Sequence, residues 1–382
     1  MRDEMKKVPR LRFRGFQEDW ELCKLKEIVD VRSGRDYKHL GSGNIPVYGT
    51  GGYMLSVSEA LSYDEDAIGI GRKGTINNPY ILKAPFWTVD TLFYAIPKNN
   101  FDLNFIYSIF RKINWKSKDE STGVPSLSKT TINAVTVYIP SGSEQQRIGE
   151  FFKQIDNTIT LHQRELDQLK ELKKAYLQLM FPVKDERVPK LRFADFEGEW
   201  EQCKFFDMWE KSSDRNKELK YSSKDVLSVA KMTKNPVERN SSDEYMKTYN
   251  ILHYGDIAFE GNKSKDYSFG RFVLNNLQDG IVSHVFIVFK PKVKMDIDFM
   301  KVYINNEYFM KHHLVKATTK TLMMTTLNVQ DMNKQKLRIP SLNEQERIGK
   351  FFKELDHAIT LHQNKLTQLK SLKKSYLQNM FI

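Results

Sequence analysis

The chain is built twice over one frame, and this internal repetition limits its architecture more than any other feature of the sequence. Val8-Pro-Arg-Leu-Arg-Phe13, followed by Phe16, Trp20, Glu21, Cys23 and Lys24, returns 180 residues later as Val188-Pro-Lys-Leu-Arg-Phe193, followed by Phe196, Trp200, Glu201, Cys203 and Lys204. A longer block, Ile139–Phe181, returns 200 residues later as Ile339–Phe381, with 29 of 43 positions identical. The stretches between opening and closing blocks do not match, and the second is 20 residues longer. Two unlike inserts therefore sit in a duplicated frame. A length of 382 residues allows two or three domains at roughly 150 residues each, and the repetition reduces that choice to two.

Each closing block starts Glu-Gln-x-Arg-Ile-Gly and runs on without proline, which predicts a long helix. Ser141 and Ser143, and Ser341 with Asn343, stand ready as N-caps before an acidic first turn. Apolar residues spaced four and three apart form a coiled-coil seam: Ile148, Phe152, Ile155, Ile159, Leu166 and Leu169 in the first copy, Ile348, Phe352, Leu355, Ile359, Leu366 and Leu369 in the second. His162, Lys173, Tyr176 and Met180 continue it, as do His362, Lys373, Tyr376 and Met380. Leu161, Leu172, Leu361 and Leu372 widen the apolar face, so each helix is expected to touch more than one neighbour. From Ile155 to Met180 such a helix extends about 39 Å.

The inserts read as mixed α/β. The first offers strands at 45–54, 66–70 and 86–96 and a helix at 104–113; the second offers strands at 256–259, 269–273 and 280–289 and a helix at 298–312. The expected fold is α+β: two α/β domains in a pseudo-two-fold arrangement, separated by two long antiparallel coiled-coil helices. The boundaries are 1–143 and 182–343 for the domains, 144–181 and 344–382 for the helices.

Sixty Lys plus Arg against 48 Asp plus Glu leave a net charge of +12, which favours an acidic partner. The excess is shared, +4 over 1–143 and +5 over 182–343, so it describes two mildly basic folded surfaces rather than a basic tail. An apolar fraction of 40% is too high for a disordered chain, and no apolar run approaches the length of a membrane span or signal core, which points to the cytoplasm. Cys23 and Cys203 are too few for a disulfide framework or thiolate metal site and read as buried small hydrophobes.

Ile139-Pro-Ser, Glu144-Gln-Gln-Arg-Ile-Gly149 and Phe152, repeated as Ile339-Pro-Ser, Glu344-Gln-Glu-Arg-Ile-Gly349 and Phe352, each lead into a Leu-rich helix, and this layout resembles the specificity subunits of type I restriction-modification systems. Gly71-Arg-Lys-Gly74 and Gly123-Val-Pro-Ser-Leu127 share the resemblance, which covers the whole chain. It implies that each insert is a target recognition domain reading one half of a bipartite DNA sequence, held apart by the repeated helices. It also implies that the repeated helices, with the seam residues named above, and the flanking repeats dock two DNA adenine methyltransferase subunits, and that added restriction subunits cleave double-stranded DNA using ATP. The second insert has no Gly-Val-Pro-Ser-Leu copy; Lys316-Ala-Thr-Thr-Lys-Thr-Leu-Met-Met-Thr-Thr-Leu327 stands there instead.

Base reading requires Arg or Lys for guanine acceptors, Asn or Gln for adenine and small methyl contacts for thymine. Candidates in the first insert are Arg35, Tyr37, Lys38, Tyr48, Thr50, Arg72, Lys73, Thr75, Thr122, Val124 and Ser126. Those in the second are Asn262, Lys263, Lys265, Tyr267, Arg271, Thr319, Lys320 and Thr321. For any one of them a phosphate contact or a plain solvated side chain is the competing reading.

Catalytic machinery is not visible, and no cofactor or metal is expected. Gly69-Ile-Gly-Arg-Lys-Gly74 fits a dinucleotide fingerprint only formally, because a turn and not a helix follows it. Asn77-Asn-Pro-Tyr80 lacks one proline of the Asn-Pro-Pro-Tyr that amino-methyltransferases use, and no S-adenosylmethionine loop precedes it. His312-His313 reads as a surface pair without a third ligand, and His162 and His362 as core or register-setting histidines. The rival to a non-catalytic specificity subunit is a scaffold that assembles partner proteins through its repeated helices.

Overall fold

The computed structural model describes residues 7–183, 186–234, 242–262, 267–320 and 324–382. The chain divides into two compact units, Met1–Arg164 with Gln363–Ile382, and Glu165–His362. Each unit is thus completed by the far end of a long helix that starts in the other repeat.

In the first unit a four-stranded antiparallel sheet has the order Val29–Ser33, Leu92–Pro97, Ala67–Gly71, Tyr80–Leu82. All five residues of the Ala67–Gly71 strand are buried, which is why its sequence is apolar without alternation. A smaller sheet pairs Ser42–Gly49 antiparallel to Gly52–Val57 and parallel to Trp87–Thr88. The repeated frame contributes a short antiparallel pair, Glu21–Lys24 with Thr136–Ile139. The helix Leu103–Lys112, capped by Asp102 accepting from the Phe105 amide at 2.8 Å, packs its apolar face into one core with Trp20, Ile28, Ile70, Phe93, Ile148 and Phe152. Met380 and Phe381 close that core.

The second unit repeats this plan with other residues. Its four-stranded sheet runs Trp209–Lys211, Ile287–Pro291, Ile257–Glu260, Arg271–Leu274, the same order of equivalent strands. Glu201–Lys204 pairs with Lys336–Ile339, and Met180 and Phe181 close a core containing Trp200, Phe205, Phe272, Phe299, Tyr303, Ile348 and Phe352.

Several expected elements are divided. The 45–54 strand is a hairpin, because Gly52 takes a positive φ of 108° at its turn. The 86–96 strand serves two sheets, as Trp87–Thr88 and Leu92–Pro97, and the 280–289 strand likewise separates into Gly280–Val282 and Ile287–Pro291. The 298–312 helix breaks into Ile297–Ile304 and Glu307–Ala317, since the Asn306 side chain accepts from the Tyr308 amide at 3.1 Å and starts a new helix. Cys23 and Cys203 are half-buried on the short frame strands, not enclosed. Of the expected surface pair His312 is exposed but His313 is half-buried: it packs on Phe309 at 5.4 Å between ring centroids, and burial lowers its pKa to about 4.

The closing blocks form helices Gly142–Leu179 and Leu342–Asn379, 38 residues each. Ser341 caps the second, its hydroxyl accepting from the Glu344 amide at 3.4 Å. Inside the first unit the helices run antiparallel: Tyr376 meets Phe151 edge-on at 5.0 Å, and Lys373 is ion-paired with Asp156. Inside the second, Tyr176 meets Phe351 at 4.9 Å and Lys173 pairs with Asp356 at 2.5 Å. The seam lysines therefore stand at polar contacts rather than apolar ones. Among the described residues no helix is long and apolar enough to cross a membrane.

Candidate nucleic-acid interface

In the first unit the candidates from separate segments converge on the turn 88–91. The Arg35 amide donates to the Thr88 carbonyl at 2.9 Å, and the Val89 amide to the Tyr48 carbonyl at 3.0 Å. The Arg72 amide donates to Thr91 O at 2.8 Å, and its guanidinium reaches the Asp90 carbonyl at 3.4 Å. Gly34 makes this approach possible, because a Cβ there would lie 2.0 Å from the Val89 carbonyl oxygen. Arg35, Lys38, Arg72, Lys73 and Thr75 are exposed, whereas Tyr37, Tyr48 and Thr50 are half-buried.

The two loops that the resemblance singled out are knitted together. Lys73 and Ser126 form an antiparallel bridge, the Gly74 amide donates to Pro125 O at 2.8 Å, and the Leu127 amide to Arg72 O at 2.9 Å. Asp119, which sequence reasoning missed, organises the second loop: its Oδ1 accepts from the Ser126 amide at 2.9 Å, the Ser121 amide at 3.0 Å and the Ser121 hydroxyl at 2.8 Å. These bonds, that from Ser126 first, hold its carboxyl below the usual carboxylate range. Thr122 and Val124 are thereby presented outward, Val124 at 55% exposure, beside Arg72 and Lys73. Asp-x-Ser ahead of Pro-Ser was the available signal, an Asx turn. Tyr53 and Met54, exposed beyond Thr50 at the hairpin tip, were also missed.

The second unit has the same clasp in other residues. Asn262 bridges to Met324, and the Thr325 amide donates to Gly261 O at 2.8 Å, as Thr318–Lys320 pairs with Thr325–Leu327. Leu327, buried like Leu127, and Asn328, capping the next helix as Ser128 does, then follow 200 residues later in the chain. The missing Gly-Val-Pro-Ser-Leu motif is therefore replaced by an antiparallel strand pair, Thr318–Lys320 with Thr325–Leu327. Asn262, Thr319 and Lys320 are exposed, with the Lys320 ammonium 3.8 Å from the Phe269 ring centroid. Arg271 is committed internally: its Nε donates to Glu260 at 2.8 Å, its Nη2 to Ala230 O at 2.7 Å, and it stacks on half-buried Tyr267. A guanidinium so engaged has lost the fork that a guanine requires. Lys263, Lys265 and Thr321 lie outside the described residues.

The seam residues divide by burial. Ile148, Phe152, Leu166, Ile348, Phe352, Leu355 and Leu366 are buried, so they are spent on packing within this chain; Ile155, Ile159, Leu169, Ile359 and Leu369 are half-buried. Leu161, Leu172, Leu361 and Leu372 are 44–60% exposed.

Two domains of one topology, presenting different side chains on equivalent loops in a duplicated frame, define a class of chain built for two related but unequal recognition tasks. The family described as type I restriction modification DNA specificity domain matches residues 17–171 and again 197–371, and the chain belongs to that family. It is similar to the type I restriction enzyme MjaVIII specificity subunit of Methanocaldococcus jannaschii, 24% identical over 213 residues, 46% of this chain and 48% of the relative. The match thus spans about half the length of that curated relative. The fold is similar to that of a type I restriction-modification S subunit from M. genitalium, with a TM-score of 0.69 at 12% identity over 98% of this chain and 99% of the other. A chain from a structure concerned with complex assembly and conformational transition of the type I R-M system matches with a TM-score of 0.50 at 13% identity over 94% and 96%.

Proposed function

We propose that this chain is the DNA sequence-specificity subunit of a type I restriction-modification complex. Residues 1–143 and 182–343 each read one half of a bipartite target in double-stranded DNA, and 144–181 and 344–382 link them. The chain works in the cytoplasm and recruits two adenine methyltransferase subunits and the ATP-dependent restriction subunits; it performs no catalysis itself. The observation that carries this reading is the repeated clasp: equivalent strand exits and loops, joined by equivalent backbone bonds, display Arg72, Lys73 and Val124 in one unit and Asn262, Thr319 and Lys320 in the other. Common backbone with unlike side chains suits two different half-sites.

Half-site independence tests it. Arg72→Ala with Lys73→Ala should relax the base preference in one half of the target only, each lost base contact weakening discrimination by about 1–3 kcal/mol. Mapping methylated adenines in a host carrying the variant and its partner subunits reads this directly; relaxation of both halves, or of neither, refutes the assignment. Binding of the purified chain to random duplex DNA should also weaken with salt, with a slope of several units in log Kd against log salt.

A further inference from the structure

The strongest unassigned feature lies on the frame and not on the recognition loops. In the first unit a cleft of about 760 Å³ opens between the helix Leu103–Lys112 and the two long helices. Arg111, Lys153, Lys370, Lys373 and Lys374 line it, against one carboxylate, Asp156. Asp156 is already engaged by Lys373, and Lys153 contacts Glu150 at 3.4 Å. Among the described residues no carboxylate pairs with Arg111, Lys370 or Lys374, and all three are exposed. Lys373 itself is only 5% exposed, and burial, reinforced by the neighbouring Arg111 charge, holds its ammonium below the ordinary lysine range despite the Asp156 contact. The positive potential is therefore concentrated and only partly neutralised. Asn104, Asn157 and Thr160 add neutral hydrogen-bonding groups at the same walls.

A counterpart occurs in the second unit, about 540 Å³, lined by Lys173, Lys174, Lys301 and Lys311 with Asp356 and Glu307. The long-helix lysines are repeated in the frame, but Arg111, Lys301 and Lys311 come from inserts that have no sequence match. Unlike inserts have each supplied cations to one place, which the duplication of the frame does not explain.

We infer that the cleft of the first unit is a phosphate-binding site, its weaker counterpart lying in the second. Its cations stand at the ends of flexible side chains, which suits a phosphodiester or polyphosphate more than a fixed carboxylate fork. The phosphate can belong to duplex DNA outside the half-sites, in which case the site rests on the proposed function, or to a free nucleotide.

The variant Arg111→Gln, Lys370→Gln, Lys374→Gln changes exposed positions only and is compared with Lys24→Gln, Lys26→Gln, Lys98→Gln, which removes equal charge elsewhere in the same unit. Binding to random duplex DNA is measured across salt concentrations, and binding of ATP and of inorganic tripolyphosphate to the full chain by calorimetry. If the source is DNA, the cleft variant lowers the slope of log Kd against log salt by about 0.9 per lost phosphate contact and the control does not, while half-site preference is unchanged. If the source is a free nucleotide, wild type and control bind ATP or tripolyphosphate, the cleft variant loses that binding at least tenfold, and the DNA slope stays the same. A cleft variant matching the control in all three measurements overturns the proposal. Wild-type chain that binds no DNA would defeat the specificity reading, whereas the polyphosphate measurement still decides the cleft.

Discussion

Glu144 and Glu344 are almost fully enclosed, and each is gripped by a guanidinium from the opening block of its own repeat. Arg12 reaches Glu144 with two bonds of 2.7 Å, and Arg192 reaches Glu344 with two of 2.8 Å. The rest of the Glu-Gln-x-Arg-Ile-Gly motif is equally occupied. Gln145 donates to Pro140 O at 2.9 Å and accepts from the Asp102 amide at 3.3 Å, Arg147 lies over Phe13, and Ile148 enters the core. Gly149 admits the insert helix, because a Cβ there would stand 2.0 Å from Asp102 Oδ1 and 2.9 Å from the Phe105 amide. Arg12→Ala leaves an uncompensated buried carboxylate and should cost about 3 kcal/mol or more in urea denaturation, part of it recovered when Glu144→Leu is added. Gly149→Ala should cost about 1–3 kcal/mol by overpacking the helix start, while Gly142→Ala, with open space around it, should be neutral or stabilising. Equal losses at the two glycines would refute the close-approach argument. These roles were not legible from the sequence: the motif was visible as a repeat, but its partners lie 132 and 152 positions upstream, a pairing only the fold makes.

At the scale of elements, periodicity located the long helices closely, whereas the inserts were legible in order and not in boundaries. Strands read as single were divided where one apolar run feeds two sheets, and pattern alone carries no mark of that change of sheet. Elements of the second unit also set its response to acid. His313, on the helix Glu307–Ala317, holds no proton until about pH 4, whereas the unfolded side chain takes one near 6.5, so its contribution falls away as pH drops through that window. Asp256, buried at the entry to the strand Ile257–Glu260, has its pKa raised to about 6 by burial, so the folded state takes up a proton before the unfolded chain does and gains as pH falls from about 6 towards 4. Each effect amounts to at most about 3 kcal/mol, and they oppose one another. His313→Gln should therefore gain stability relative to wild type between pH 7 and 4, and Asp256→Asn should lose it, as measured by urea denaturation at each pH. Parallel profiles for both variants and wild type would show that neither group is titrating as described.

Over the whole molecule, each unit takes its final core residues from the distant end of a long helix. Phe381 contacts Trp20, Phe105 and Phe152 in the first unit, with ring centroids 6.1, 5.5 and 5.8 Å away, and Phe181 does the same with Trp200, Phe299 and Phe352 in the second. Phe381→Ala should destabilise the first unit by about 3–5 kcal/mol, read as loss of amide-exchange protection in residues 20–139, with protection in 200–339 retained. Uniform loss over both would argue that the chain unfolds as one block. The sequence by itself determined the duplicated frame, the two long helices, the mixed helix and strand content of the inserts and the family resemblance, because repetition and helical periodicity are local and survive in one dimension. Tertiary structure alone decided which candidates are available. It gathered Arg35, Tyr48 and Arg72 around one turn, tied Arg271 to Glu260, buried half the seam and supplied a strand pair where the second loop motif is missing. Burial and hydrogen-bond commitment depend on partners far away in the chain, and no local pattern encodes them.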